Sequence, residues 1–237
     1  NGLEKLEYRG YDSSGIAIIN SKNNDLVCNK SEGKLKNLIS KVSSEKIDGT
    51  VGIGHTRWAT HGKPIVKNAH PHLDDSGSVA VVQNGIIENF LDLKTQLENE
   101  GIVFQSDTDT EVIPHLIQKE LNNLRKLNLD KNGSTLLIAV RNVLSDLEGA
   151  YALAVLWSGA PDSLVVARKQ APLIIGLGEG EFVCASDTPA IADFTKTILP
   201  MEDEEIGLLT PLGIELYNSS NERQYRNPTL LKTAEQA

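Results

Sequence analysis

Cysteine is scarce in this 237-residue chain: Cys28 and Cys184 are the only two. A pair so far apart reads as reduced thiols rather than as a secreted disulfide framework, which makes the cytoplasm the expected location. Aromatic residues are scarce as well, at 5%, so the core must be built from Val, Ile, Leu and Ala. A chain of this length buries enough of them to fold without staples. Long apolar runs are missing. Stretches such as Leu136 to Val140 and Leu173 to Leu177 fall far short of the roughly 20 residues that cross a bilayer. No charged segment leads into an apolar one at the start, so neither a signal peptide nor a membrane partner is expected. Basic clusters are also missing. With 23 Lys+Arg against 32 Asp+Glu and a net charge of -9 spread along the chain, nothing offers the footprint that nucleic acid requires.

What is present fits one large domain or two small ones. Residues Asn1 to Gly10 read as the last turns of an amphipathic helix closed by a glycine cap. Its start without an N-cap raises the expectation that further residues precede Asn1. A hairpin is expected from Gly15–Ile19 and Leu26–Lys30, then a short helix over Lys34–Ser44 and strands over Val51–Ala59 and Val79–Gln83. The long polar connection between those two strands carries most of the histidines. Glu88–Glu100 reads as a helix and Ile102–Gln105 as a strand. Thr108 and Glu111 have capping-box spacing before a helix that buries Val112, Ile113, Leu116, Ile117 and Leu121. Leu136–Leu147 is a further helix. Short strands follow at Tyr151–Trp157, Leu164–Ala167, Leu173–Ile175, Phe182–Ala185, Glu205–Leu209 and Ile214–Tyr217, with a short helix at Pro189–Phe194. Strands this closely spaced cannot be joined by parallel crossovers, so the fold class is α+β with antiparallel sheets and helices packed outside. The domain is expected to span residues 1–217, with the polar segment 218–237 running into a linker.

The chemistry concentrates in Gly54-His55-Thr56-Arg57-Trp58-Ala59-Thr60-His61-Gly62, at a strand end opening into the long loop. Arg57 offers a planar fork for a carboxylate or phosphate, Thr60 a hydroxyl, and Trp58 a large face that could shut a pocket. An ordinary strand end would look the same. His55, His61, His70 and His72 raise a metal reading, but no H-E-x-x-H or cysteine-histidine pattern is present, and His70-Pro71-His72 lacks helical spacing. Asn84-Gly85 would ordinarily be a hairpin turn. Because Ile86-Ile87-Glu88-Asn89 leads towards a helix, the pair could instead present an amide and a backbone N–H side by side, as an oxyanion hole does. Asp107 and Asp109 flank a helix start, where capping explains at least one of them and the other could face a ligand amine. Ser13-Ser14 and Gly176-Leu177-Gly178-Glu179-Gly180 read as turns, and both cysteines as small buried hydrophobes. No residue of the chain is a convincing nucleophile.

Taken together, Tyr8-Arg9-Gly10-Tyr11-Asp12-Ser13-Ser14-Gly15, the His55–Gly62 run, Asn68-Ala69-His70-Pro71-His72, Asn84-Gly85-Ile86-Ile87-Glu88-Asn89 and Thr108-Asp109-Thr110-Glu111 resemble the glutaminase domain of the isomerising glutamine:fructose-6-phosphate aminotransferases, the glucosamine-6-phosphate synthases. These are class II glutamine amidotransferases of the N-terminal-nucleophile hydrolase type. The resemblance covers nearly the whole chain. It implies a four-layer α/β/β/α sandwich that hydrolyses L-glutamine to glutamate and ammonia, and it calls for no cofactor and no metal. It would give Arg57 the glutamine α-carboxylate and Asp109 the α-ammonium, with Thr60 and His61 lining the same end. Asn84 and Gly85 would form the oxyanion hole, Trp58 would gate the site, and Arg9 and Tyr11 would support it. The family's nucleophile is an N-terminal cysteine activated by its own α-amino group. The resemblance places that residue, with a short strand and the start of a helix, ahead of Asn1. The partner it implies is a sugar isomerase domain, in a homodimer when full length. A non-catalytic glutamine-binding module is the alternative reading for residues 1–237 alone.

Overall fold

The computed structural model describes residues 2–45, 47–58 and 65–231, with Arg9 described by its backbone alone. A 3-10 helix at Glu4–Arg9 leads into β1 (Ser13–Ile19), β2 (Leu26–Glu32), α1 (Leu35–Ser43) and β3 (Gly52–Arg57). β4 (His72–Leu73) and β5 (Val79–Ile87) precede three helices, α2 (Phe90–Asn99), α3 (Val112–Lys126) and α4 (Gly133–Leu144). The remainder is strand-rich: β6 (Gly149–Trp157), β7 (Leu164–Lys169), β8 (Ile174–Leu177), β9 (Phe182–Ala185), β10 (Thr197–Pro200), β11 (Ile206–Thr210), β12 (Gly213–Tyr217), β13 (Arg223–Gln224) and β14 (Thr229–Leu230).

These strands form a seven-stranded sheet in the order β13-β12-β11-β7-β6-β5-β4, a four-stranded sheet β14-β10-β8-β9 and a three-stranded sheet β2-β1-β3. Every ladder between them is antiparallel. Alternation along the central strands explains the layers, because successive side chains point to opposite faces. Val79 and Val81 of β5 pack with Leu153 and Val155 of β6 under Ile113, Ile117, Leu136 and Val140 of α3 and α4. Their neighbours Ala80, Val82 and Leu156 face Ala17, Ile19 and Ile53 of the three-stranded sheet. Further along, Ala152, Val166, Leu209 and Leu216 face Ile175 and Met201 of the four-stranded sheet and its surroundings. α1 packs on β1 and β2, burying Leu35 and Leu38. The layers therefore run helices, sheet, two smaller sheets, helix. A central side chain such as Leu153, 1% exposed, supplies about 1.5–3 kcal/mol by leaving water.

Several local expectations need correcting. The opening segment is a 3-10 helix, and Gly10 is extended rather than a left-handed cap. Glycine is required there by proximity, since a Cβ would stand 2.8 Å from the Arg57 carbonyl carbon and 2.9 Å from the Thr56 oxygen. β5 runs on through Asn84-Gly85 to Ile87, paired with β6, instead of turning after Gln83. Ile102–Gln105 is no strand, and the Gln105 and Ser106 N–H groups donate to the Glu111 carboxylate at 2.7 and 2.6 Å. That carboxylate therefore turns back on the preceding loop. Thr108 makes no capping bond; its hydroxyl lies 3.0 Å from His72 Nε2. Ser13 and Ser14 belong to β1 and are buried, so they are not a turn. Gly176 and Leu177 close β8, and only the glycines after them turn the chain. At Thr188–Ala190 the expected helix is a single 3-10 turn. β4 and β10, too short to show a pattern, had no sequence signal.

The segment from Asn218, expected as a linker, is joined to the domain. β13 pairs with β12 and β14 with β10. Arg226 donates from Nη1 to the Glu205 carboxylate and the Pro200 carbonyl, both at 2.8 Å. A polar sequence can be anchored by ladder bonds and one buried ion pair without any apolar period.

Candidate active site

Three strand or turn ends converge on a cavity of about 940 Å3. The end of β3 supplies His55, Arg57 and the following Trp58; β5 supplies Asn84 and Gly85; the turn before α3 supplies Asp109. β3 and β9 are each the last strand of their sheet, and both line this cavity. Apolar side chains such as Ile53, Val82, Ala154 and Leu173 complete its walls.

Arg57 and Asp109 are the buried charges of the site, 5% and 6% exposed. Burial pushes the Arg57 guanidinium below its ordinary pKa, while the Asp12 and Asp109 carboxylates act the other way. An arginine starts so high that it stays protonated. Asp109 is held by the Ile87 N–H, which donates to Oδ2 at 2.7 Å, so the end of β5 fixes the carboxylate beside the cavity. Asp107 is different: exposed, it pairs with Lys67 at 3.0 Å and exchanges hydrogen bonds with Asn68, which pulls it below the ordinary carboxylate range. Neither aspartate caps the following helix, contrary to expectation.

Gly85 has φ +125°, and a Cβ would run into the Ala150 carbonyl oxygen. Only glycine fits, so the backbone here can take a shape closed to other residues. Trp58 is 57% exposed, with Tyr11 edge-on at 5.7 Å between ring centroids. Thr60 and His61 lie outside the described residues, as does the side chain of Arg9.

The imidazoles form a stack. His55 and His70 are face to face at 4.3 Å, and His72 is edge-on to His70 at 4.8 Å. His55 Nε2 lies 2.7 Å from Asn84 Oδ1. His70 Nδ1 accepts from the Gln83 N–H at 3.2 Å, and the Thr110 hydroxyl donates to the Gln83 side-chain oxygen at 2.7 Å. Burial, reinforced by the neighbouring imidazoles and cations, drives the His70 pKa well below its ordinary value. Burial likewise lowers His72, to about 3. Both rings are neutral at pH 7. Both nitrogens of His70 and Nε2 of His72 are engaged with amide or hydroxyl groups, and among the described residues no group of His, Cys, Asp and Glu could hold a metal ion.

The resemblance placed Arg57, Trp58, Asn84, Gly85 and Asp109 around one ligand, and the fold brings all of them to one cavity. Sequence reasoning missed the bond between His55 and Asn84, which joins two strands of different sheets. The cysteines are half-buried. Burial raises both thiols, Cys184 to about 12, so neither is a thiolate at pH 7.

A family model described as a glutamine amidotransferase domain matches residues 55–193, a span that contains His55, Arg57, Trp58, Asn84, Gly85 and Asp109 of the cavity but not Ile53. The chain is 54% identical over 230 residues to the isomerizing glutamine–fructose-6-phosphate aminotransferase of Thermosynechococcus vestitus, covering 97% of this chain and 36% of that protein. The enzyme of the same name from Aquifex aeolicus is 47% identical over 220 residues, covering 93% and 35%. This chain therefore spans about a third of the length of these curated relatives. Among solved structures, the glutamine phosphoribosylpyrophosphate amidotransferase of B. subtilis superposes with a TM-score of 0.75 at 30% identity, over 94% of this chain and 46% of that one. A class-II glutamine aminotransferase domain protein from Silicibacter pomeroyi, at 13% identity and TM-score 0.55, shares the fold. These likenesses bear out the expected α+β sandwich of N-terminal-nucleophile hydrolase type. With the family model, they show that the chain belongs to the glutamine amidotransferase domain family.

Proposed function

We propose that this chain is the glutaminase unit of an isomerising glutamine:fructose-6-phosphate aminotransferase, binding L-glutamine and releasing glutamate and ammonia. The observation that carries this reading is the pair of buried opposite charges, Arg57 and Asp109, at one cavity with Asn84 and Gly85. An α-amino acid presents a carboxylate and an ammonium on one carbon, and these two residues match them. The Arg57 fork takes the carboxylate through parallel charge-assisted bonds. Asp109, already held by Ile87, takes the ammonium. Glutamine's carboxamide is then directed away from both charges.

Attack by a thiolate on the carboxamide carbon pushes the π electrons onto oxygen, where the Asn84 amide and the Gly85 N–H supply hydrogen bonds that strengthen as the charge grows. Collapse of that intermediate breaks the C–N bond, and the departing nitrogen takes a proton and leaves as ammonia. Water then cleaves the thioester to give glutamate. We place the thiolate on an N-terminal cysteine outside these 237 residues, with its α-amino group as the base. Two observations support this: Cys28 and Cys184 are protonated thiols, and β3 and β9, each the last strand of its sheet among the described residues, both line the cavity that holds Asn84. Trp58, propped by Tyr11, would close over the ligand and govern the departure of ammonia. Thr60 and His61 would line the carboxylate end. The sugar isomerase partner, the use of ammonia for glucosamine 6-phosphate and the homodimer would belong to the part of the relatives' length that this chain does not span.

The test is to incubate the full-length protein with a glutamine-like diazoketone, take its intact mass and map the adduct. One adduct on an N-terminal cysteine, blocked by excess glutamine, is expected. An adduct on Cys28 or Cys184 would refute the assignment. Glutamine binding without adduct or glutamate formation would establish the non-catalytic module instead.

A further inference from the structure

The proposed chemistry gives Asn84 the task of donating to an oxyanion, but a carboxamide has two faces. Its NH2 group is a donor and its oxygen an acceptor, and a rotation of about 180° exchanges them. If Oδ1 faced the cavity, its lone pairs would oppose the charge they are meant to stabilise. Something must hold the amide one way round.

His55 Nε2 stands 2.7 Å from Asn84 Oδ1. A neutral imidazole carries its proton on one nitrogen, so this contact has two forms: Nε2–H donating to Oδ1, or the amide N–H donating to a bare Nε2. Only the first leaves the NH2 group for the cavity. We infer that His55 is a positioning residue that, as the tautomer protonated on Nε2, locks the Asn84 carboxamide with its donor turned to the substrate. This rests on the oxyanion role of Asn84 proposed above.

The surroundings hold the His55 ring in place. His70 stacks on it at 4.3 Å with planes 16° apart, and His70 is itself fixed by the Gln83 N–H on Nδ1. Its proton therefore sits on Nε2, 3.5 Å from the Thr110 hydroxyl. That hydroxyl donates in turn to Gln83. Gln83 adjoins Asn84, and Thr110 adjoins Asp109, so the stack joins the oxyanion end of the site to its ammonium end. His70 and His72 stay neutral beside it.

The experiment measures glutamine hydrolysis by the full-length protein in His55→Leu, His55→Gln, Asn84→Ala and the double variant His55→Leu/Asn84→Ala. Losing an oxyanion donor costs roughly 10²- to 10³-fold in kcat. An amide left present but unoriented should lose part of that, about 10- to 100-fold, with KM for glutamine within about 3-fold because Arg57 and Asp109 are untouched. Gln places an N–H near the position of imidazole Nε2, so His55→Gln should recover most of kcat, and the double variant should be no slower than Asn84→Ala. A normal kcat in His55→Leu beside a slow Asn84→Ala would overturn this inference alone. A normal kcat in Asn84→Ala would overturn the oxyanion reading and this inference with it. Parallel losses in kcat and KM that His55→Gln does not repair would reduce His55 to a packing role. Should His55→Leu not fold, ¹⁵N shifts of the histidines in the unsubstituted protein decide: a proton on Nδ1 and a bare Nε2 in His55 overturn the proposal.

Discussion

Replacing Arg57 tests the ligand assignment at its strongest point. The side chain is 5% exposed and stands in the field of Asp12 and Asp109, so it is a fixed cation aimed into a site of otherwise negative charge. A hydrogen bond to a charged group contributes about 1.5–3 kcal/mol. A bidentate fork on a carboxylate supplies two, and part of their sum is offset by stripping water from the guanidinium. A net loss of about 3–4 kcal/mol in Arg57→Ala is then expected, which at 1.4 kcal/mol per decade raises KM for glutamine roughly 10²- to 10³-fold. The two carboxylates left behind repel the ligand's own carboxylate and act in the same direction. Arg57→Lys keeps the charge but loses the fork, and should cost about tenfold. Glutamate release by the full-length protein, followed over a wide glutamine range with folding checked by thermal denaturation, separates KM from kcat. A folded Arg57→Ala variant whose KM moves less than about 3-fold would mean that the α-carboxylate sits elsewhere.

Asn84→Ala should lower kcat by roughly 10²- to 10³-fold with little change in KM, and an unchanged kcat in steady-state assays would remove it from the oxyanion hole. Stability should depend on pH well above the carboxylate range. His72 is held down to about 3 and His70 also lies well below 6.5, so between about pH 6.5 and 3 the unfolded chain binds protons that the folded one refuses. Stability is therefore complete above pH 6.5 and falls on acidification, by up to about 1.4 kcal/mol per pH unit for each ring that stays neutral. Burial works to raise Glu111, but the Gln105 and Ser106 N–H groups that donate to its carboxylate and the His115 imidazole 3.6 Å away lower it to about 2, so it adds a loss of the same sign as pH falls below about 4.5 towards 2. Urea titrations at pH 7.5, 6 and 5 read the histidine part, and a flat profile would contradict it. Arg226→Ala strands the Glu205 carboxylate, 2% exposed, and should cost about 3–5 kcal/mol. Cutting the chain after Tyr217 should cost at least as much, and a truncated protein with an unchanged midpoint would show that the last strands are dispensable.

Elements whose residues contact a single face were legible in the sequence, because one face leaves a period. The stripe of α3 has it, and β1 and β2 were read from two β-rich runs around a polar turn, to within a few residues. Elements defined by a distant partner were not. β4 is two residues long and exists because His72 and Leu73 meet Val81 and Ala80; β13 and β14 exist because β12 and β10 lie where a polar tail can pair with them. The same distinction runs through the site. Arg57, Asn84 and Gly85 stood out because residue type announces a capability, whether a fork, an amide donor or a backbone N–H, while between Asp107 and Asp109, which offer the same carboxylate, only the resemblance chose. The orientation of each capability is set by a residue remote in sequence: Ile87 holds Asp109, the Ala150 carbonyl forces glycine at position 85, and His55 meets Asn84. No spacing rule reaches across 22 or 29 positions, and the signal His55 did carry, as one of a run of histidines, pointed to a metal rather than to Asn84. A sequence displays the groups that react with a ligand more readily than those that aim them, because aiming is a property of packing between layers.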